Sequence, residues 1–300
     1  LLKIIGYDDY DGVPIEAINE LNGSIFMEIN QFNEDGLFFF CGPSVGFNSL
    51  SDTIDIYDYL LYLGEKLWGE NGVTVVSYEG RQEDPILIHD GNGGAYIIWR
   101  DYRVEPDPVG DVYAQHIDSN GNISYGESGF ALSDQPGYQV SLNMCSDGEG
   151  GAYAIWMDTD GKTYASHLTP DSSEIPNPGV GTVIMDHDWT YASISLETAG
   201  GGDAMMVWFD ERIIDGQPVE DIYAQRIGLD ENGNIITKWS TPEEGGIPIC
   251  TADGTQEGAK VTYYNEDWNV VVWEDSRHNA GALNGSPYTT IDIYAQNYSF

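Results

Sequence analysis

Internal repetition constrains this chain most, because a unit recurring at a regular period commits the whole polypeptide to one architecture. The run GGAYIIWRDYR at 93–103 returns as GGAYAIWMDTD at 150–160, GDAMMVWFDER at 202–212 and WNVVVWEDSR at 268–277, each containing Trp-x-Asp. After a loop of variable length each is followed by a second motif: GDVYAQH, GKTYASH, EDIYAQR and IDIYAQN. Ahead of each tryptophan run lies an alternating segment (84–91, 138–148, 191–198 and 258–267). Behind the tyrosine runs, turns such as DSNGN and DENGN lead into a fourth segment, for instance 123–133. Alternation at period two, broken by Asn-Gly and Gly-Gly, is the pattern of β-hairpins. One unit is therefore four antiparallel strands, A to D, in about 60 residues, the size of a propeller blade.

On this frame 24–35 takes strand A of an earlier unit, 36–42 strand B, 54–72 strand C with its turn, and 73–77 strand D. Residues 18–83 then form a degenerate first blade, with Cys41 and Pro43 where the others have Trp and Asp. The last unit stops after strand C, while DGVPIEA at 11–17 is similar to GGIPICTA at 245–252, a strand D. Unpaired sheet edges invite aggregation, and pairing the two ends removes them. The expectation is an all-β fold over 1–300 as a single domain: a five-bladed β-propeller of four-stranded antiparallel blades, closed by the N-terminal strand 11–17.

The repeated residues suit a structural joint. Trp99, Trp156, Trp208 and Trp273 occupy one position, where a large ring fills the wedge between neighbouring sheets. Asp101, Asp158, Asp210 and Asp275, two residues on, are placed to accept N–H bonds at a strand-ending turn. Arg103, Arg212 and Arg277 follow in three units, which predicts an Asp–Arg pair at the corner. Tyr57, Tyr113, Tyr164, Tyr223 and Tyr294 open the second motif, with Tyr and Gln on one strand face and the intervening Ala on the other. His116 and His167 follow it, but Arg226 and Asn297 take the same place elsewhere, which predicts a solvent-facing position rather than a metal ligand.

Fifty acidic against eleven basic residues give a formal charge of -39, which repels polyanions and argues against nucleic acid and anionic membranes as partners. It also predicts a melting temperature that rises with salt or calcium, as screening relieves self-repulsion. A hydrophobic content of 41% is ample for a packed core. Cys41, Cys145 and Cys250 fall in different strand-like runs without metal spacing, so buried free thiols are expected. No run reaches the roughly 18 apolar residues that cross a bilayer, and the opening Leu suggests that an upstream region has been removed. The turns carrying Asp118, Asn120, Asp158, Asp160, Asp230 and Asn232 present the oxygens of a calcium loop without its distal Glu, which leaves calcium as the one candidate cofactor.

No nucleophile elbow, zinc-helix motif or phosphate loop is present. The string Asp-Gly-x-Gly-Gly-Ala-Tyr-x-x-Trp-x-Asp-x-Arg, then Asp-Ile-Tyr-Ala-Gln-Arg, then Asn-Gly-Asn, resembles repeats of large secreted or cell-surface bacterial proteins that are regarded as propeller-like. The resemblance spans 84–300, implies an exported protein, and brings no catalytic residues with it. The B–C loops at 42–53, 101–110, 210–220 and 275–290 vary most, and variable loops on a constant frame carry specificity. The expectation is an extracellular or cell-surface module for binding, adhesion or assembly, taking a glycan or protein ligand on that loop face through Tyr102, Arg103, Arg212, Arg277 and His278. Two alternatives stand beside it: a five-bladed glycoside hydrolase with unique carboxylates in the channel, and a self-associating subunit of a fibre, sheath or surface layer.

Overall fold

The computed structural model describes residues 68–69, 71–103, 110–186, 194–214, 217–277 and 291–299, with four two-residue strands nearer the start. The chain divides into two compact units, Leu1–Lys66 and Leu67–Phe300. In the first, β1 (Leu2–Lys3) pairs in parallel with β2 (Met27–Glu28), and β3 (Phe32–Asn33) pairs antiparallel with β4 (Gly36–Leu37). The β3–β4 turn falls where the repeat frame passes from strand A to strand B, whereas the parallel pair has no counterpart in an antiparallel blade. Cys41, Pro43, Tyr57 and the closing strand 11–17 lie outside the described residues.

In the second unit the repeats become sheets. The first runs in the order β5 (Gln82–His89), β6 (Ala95–Asp101), β7 (Asp111–Ile117), β8 (Phe130–Ser133). The second runs β9 (Val140–Ser146), β10 (Ala152–Met157), β11 (Lys162–Leu168), β12 (Thr182–Asp186). The third contains β13 (Ser195–Gly200), β14 (Asp203–Ile214) and β15 (Gln217–Leu229), with β16 (Ile235–Thr237) and β17 (Ile247–Cys250) both pairing β15. The fourth has β18 (Gln256–Asn265), β19 (Trp268–Asp275) and β20 (Asp292–Ser299), and so lacks a D strand among the described residues. Every pairing in these four sheets is antiparallel.

Two assignments differ from the sequence frame. The D strand of the first sheet begins only at Phe130, because Gly126 and Gly129, at φ +79° and +71°, turn the chain out of extended conformation. Residues 73–77 form no strand, although Val75 O accepts a bond from Gln115 Nε2 at 3.3 Å.

The sheets pack face to face in chain order, with the first strand of each against the first strand of the next: β5 beside β9, β9 beside β13, β13 beside β18. Alternation buries both faces of the middle sheets. On β10, Ala152, Ala154 and Trp156 meet Tyr96, Ile98, Val112 and Ala114 of the first sheet, while Tyr153 and Ile155 meet Leu196, Met206 and Trp208 of the third. Met205 and Val207 then pack on Val271 and Trp273. The tryptophans of the second, third and fourth sheets thus face the sheet before them, and ahead of each described D strand a glycine in the left-handed region makes room for a tryptophan. A Cβ on Gly129, Gly181 or Gly246 would lie 2.6, 2.5 or 2.4 Å from Trp99, Trp156 or Trp208.

Candidate functional site

At the B–C end of three sheets the repeated residues close on one another. Trp99 Nε1 donates to Asp101 Oδ2 at 2.9 Å, and Arg103 gives its backbone N–H (3.0 Å) and Nε (2.8 Å) to Oδ1 of the same carboxylate. The Arg103 guanidinium lies 3.7 Å from the centre of the Tyr113 ring, which stacks on Trp99. Burial pushes the Asp101 carboxyl up, but the bonds from Arg103 and Trp99 outweigh it and hold its pKa below the ordinary value. The fourth sheet repeats the corner with Trp273, Asp275, Arg277 and Tyr294. In the third, Arg212 Nε bonds Asp210 Oδ2 at 2.6 Å and covers Tyr223 at 3.6 Å.

Across each of these corners a second carboxylate stands directly opposite: Asp111 faces Asp101, Asp221 faces Asp210, and Asp292 faces Asp275. The Asp of Asp-x-Tyr-Ala-Gln is therefore the cross-strand partner of the corner aspartate, and in the third sheet the charge of Arg212 acts on Asp221 as well as bonding Asp210. The second sheet shows the rule by breaking it. Asp160 stands where the arginine would be, and the residue in the place of Asp111 is Lys162, whose Nζ reaches Asp186 Oδ2 at 2.7 Å. Asp158 there turns instead to Gln139 Nε2 at 2.9 Å.

The glutamine of the motif clamps the C–D connection. Gln115 Nε2 donates to Gly126 O at 2.7 Å while its Oε1 accepts from Tyr125 N at 2.7 Å, and Gln225 binds Ser240 O and Trp239 N in the same way. The following position is not solvent-facing as the sequence suggested. His116 and His167 are buried, 4% and 7% exposed, with Nε2 3.0 Å from Asp90 Oδ2 and 2.9 Å from Asp147 Oδ2 respectively. In the third sheet Arg226 Nε lies 2.7 Å from Asp203 Oδ2. The exchange of His for Arg preserves a buried nitrogen donor to an aspartate, a constraint that side-chain variety alone misrepresents. Over each histidine lies a tyrosine that leaves its own sheet: Tyr96 OH donates to Gly150 O, and Tyr153 OH to Gly202 O, both at 2.7 Å. Asp90 and Asp147 escape sequence reasoning because their partners lie one strand pair away; their shared place nine residues before the tryptophan was the available signal.

Among the described residues, two clefts lie at the end of the unit bearing the B–C and D–A loops. One, of about 590 Å³, is lined by Asp84, Pro85, Ile86, Arg100, Val140, Ser141 and Leu142, with Arg100 paired to Asp84. Asp84 and Ser141 both lie in the left-handed region, at φ +52° and +54°, fifteen residues before their tryptophans; Gly258 holds this place in the fourth sheet at +66°. Each sits at a break in strand register, and such non-glycine strain costs about 1–3 kcal/mol per residue. The second cleft, of about 520 Å³, is bounded by Glu211, Glu220 and the D–A connection Thr251–Thr255. The β14–β15 hairpin continues beyond the Asp210 corner and forms one wall of it.

Of the residues expected to meet a ligand, Tyr102 packs beneath Arg81, at 4.4 Å, beside its own corner. Arg103, Arg212 and Arg277 stand in three separate corners, each held by its own aspartate, and His278 lies outside the described residues. The expected calcium oxygens cap hairpins. Asp118 Oδ1 accepts Asn120 N and Asn122 N, and Asp230 Oδ1 accepts Asn232 N and Asn234 N, all at 2.8 Å. Bonds from Asn122 hold the Asp118 pKa down to about 2. Asp160 accepts Lys162 N and the Tyr164 hydroxyl. Among the described residues no three His, Cys, Asp or Glu side chains converge on one metal position. None of the helices found there is long and apolar enough to cross a membrane.

No protein-family model matches the chain, and no curated protein sequence matches it. Solved structures similar in fold include a protein of unknown function from Dyadobacter fermentans, at 8% identity and a TM-score of 0.38, covering 70% of this chain and 51% of that one. An arabinanase of Bacillus subtilis matches at 13% identity and a TM-score of 0.32, over 74% of this chain and 75% of its own. An α-L-arabinanase of Penicillium chrysogenum matches at 14% identity and a TM-score of 0.36, over 73% and 63%. The chain thus spans about half the length of the first of these.

Proposed function

We propose that this chain is an extracellular propeller module that binds, without chemically altering it, a neutral, hydroxyl-rich ligand, a glycan, on the face formed by its B–C and D–A loops. The supporting observation is that both clefts open on that one face. Their walls offer carboxylates and hydroxyls (Asp84, Ser141, Glu211, Glu220, Thr251, Thr255), groups that exchange hydrogen bonds with sugar hydroxyls. The charge of -39 favours neutral over anionic ligands at the same face. Tyr102, Arg103, Arg212 and Arg277 border the face, His278 is assigned to it from the sequence alone, and calcium bound in the hairpin turns would add to the frame. The ring itself we read as five blades, with 11–17 as the missing D strand. Gly12-Val-Pro-Ile repeats Gly246-Ile-Pro-Ile, in which the glycine makes room for the tryptophan; deleting 1–17 should lower stability.

A glycan array followed by calorimetric titration of D84A/S141A and E211A/E220A tests the reading. The expected result is binding weakened at least ten-fold by one pair. Unchanged affinity in both removes the assignment of the face. New reducing ends from the bound glycan would favour a glycosidase, and ordered self-assembly without glycan binding would favour a surface-layer or fibre subunit.

A further inference from the structure

The buried His–Asp pair recurs, but only in the first sheet does it end on a nucleophile. Ser124 Oγ lies 2.9 Å from His116 Nδ1, and His116 Nε2 lies 3.0 Å from Asp90 Oδ2. Asp90 is itself fixed, its Oδ1 accepting Asn92 N at 2.7 Å and Gly94 N at 2.9 Å. An ionised carboxylate only accepts, so the neutral ring carries its hydrogen on Nε2 and turns the Nδ1 lone pair to the serine hydroxyl. Serine, histidine and aspartate thus follow one another as in a Ser–His–Asp relay, with the two ring nitrogens exchanged: Nδ1 rather than Nε2 meets the serine, and Nε2 rather than Nδ1 meets the aspartate. His116 and Asp90 are buried, whereas Ser124 is exposed and can meet a substrate.

The other sheets separate scaffold from chemistry. The second has the pair, His167 with Asp147, and no such hydroxyl on the ring's other nitrogen among the described residues. In the third, Lys238 takes the place of Ser124: Lys238 N donates to Arg226 O at 2.8 Å as Ser124 N donates to His116 O at 2.9 Å. Its Nζ then meets Asp203 at 2.6 Å. Holding the A–B turn to strand C therefore requires an acid and a basic partner, and does not require a serine.

We propose that Ser124 is a nucleophile for acyl transfer from activated acyl esters, with His116 as its general base and Asp90 as the residue that positions the ring. Ser124 Oγ forms a bond to the acyl carbon while its proton passes to His116 Nδ1. The bond to the leaving alkoxide then breaks, and the same proton is delivered to that oxygen.

A fluorophosphonate probe replaces the acyl group in the test: Oγ–P forms, P–F breaks, and fluoride leaves with the proton. Intact mass and peptide mapping should show one adduct, on Ser124, formed at least ten-fold faster than on the exposed Ser119 of the same folded molecule. S124A should abolish it, H116Q should slow it at least ten-fold, and H167Q should leave it unchanged. Equal labelling of Ser119 and Ser124 in the wild-type protein overturns the proposal irrespective of how H116Q folds, as does no labelling or an undiminished rate in folded H116Q.

Discussion

Arg103 and Asp101 form a pair whose side chains are 9% and 0% exposed, so the corner joining β6 to β7 is a desolvated charge pair and not a surface ion pair. Its geometry explains why tryptophan, aspartate, arginine and tyrosine recur together: each satisfies a polar atom or a ring face that another leaves open. Removing one partner strands the other, which is costlier than never having had the pair.

Arg103→Met should accordingly destabilise the second unit by about 3–5 kcal/mol, since the buried Asp101 carboxylate keeps two neutral donors, the Trp99 indole and the backbone N–H of residue 103, and loses its counter-charge. Urea unfolding followed by tryptophan fluorescence measures this. A loss below about 1 kcal/mol, the scale of an exposed pair, would mean that the corner is solvated.

Asp221 should behave in the opposite sense to its neighbours. Burial raises its pKa, and facing Asp210 raises it further, against the lowering effect of Arg212. An acid with a raised folded-state pKa favours the native state while protonated, and that advantage is lost as pH rises through the folded value. Asp221→Asn should therefore melt higher than wild type at neutral pH, with the gap narrowing towards about pH 4. Asp90, Asp101, Asp147 and Asp275 have lowered values. The stability they contribute is complete above the ordinary carboxylate range, near 3.9, and is lost as pH falls through their depressed values. The wild-type protein should hold its fold to mild acid and lose it below that range in a pH titration.

Gly246→Ala and Gly233→Ala separate sterics from backbone conformation. Both glycines have positive φ, +84° and +79°, but a Cβ on Gly246 meets Trp208 at 2.4 Å while Gly233 opens on empty space. Gly233→Ala should cost about 1 kcal/mol, and Gly246→Ala about 1–3 kcal/mol more. Equal costs in denaturant melts would show that the tryptophan yields.

The second sheet invites a transplant. Lys162→Asp alone places a third carboxylate near Asp158 and Asp160, and should lower the melting temperature. Adding Asp160→Arg rebuilds the Asp–Arg–Asp corner of its neighbours and should recover most of the loss, so that the double variant exceeds the sum of the singles. Additive melting shifts would mean that the charges do not interact.

Strand identity was legible in the chain because hairpin pairing is local: Trp99 faces Tyr113 and Trp156 faces Tyr164 through loops whose spacing the sequence displays. The Asp–Arg corner was legible too, since its partners stand two residues apart. The burial of His116 and His167 was not, because the acids that pair with them lie 26 and 20 residues away on another strand connection. Nor were Asp84 and Ser141 legible as the strained walls of one cleft, which forms only where β5 meets β9. The sequence by itself determined the repeat, its four-strand unit and the composition of each corner. Tertiary structure alone decided which polar atoms meet between sheets, as when Tyr96 donates to Gly150 across 54 residues. The reason is physical: period and turn chemistry act over a few residues, whereas the satisfaction of a buried polar group depends on whichever surface the neighbouring sheet presents.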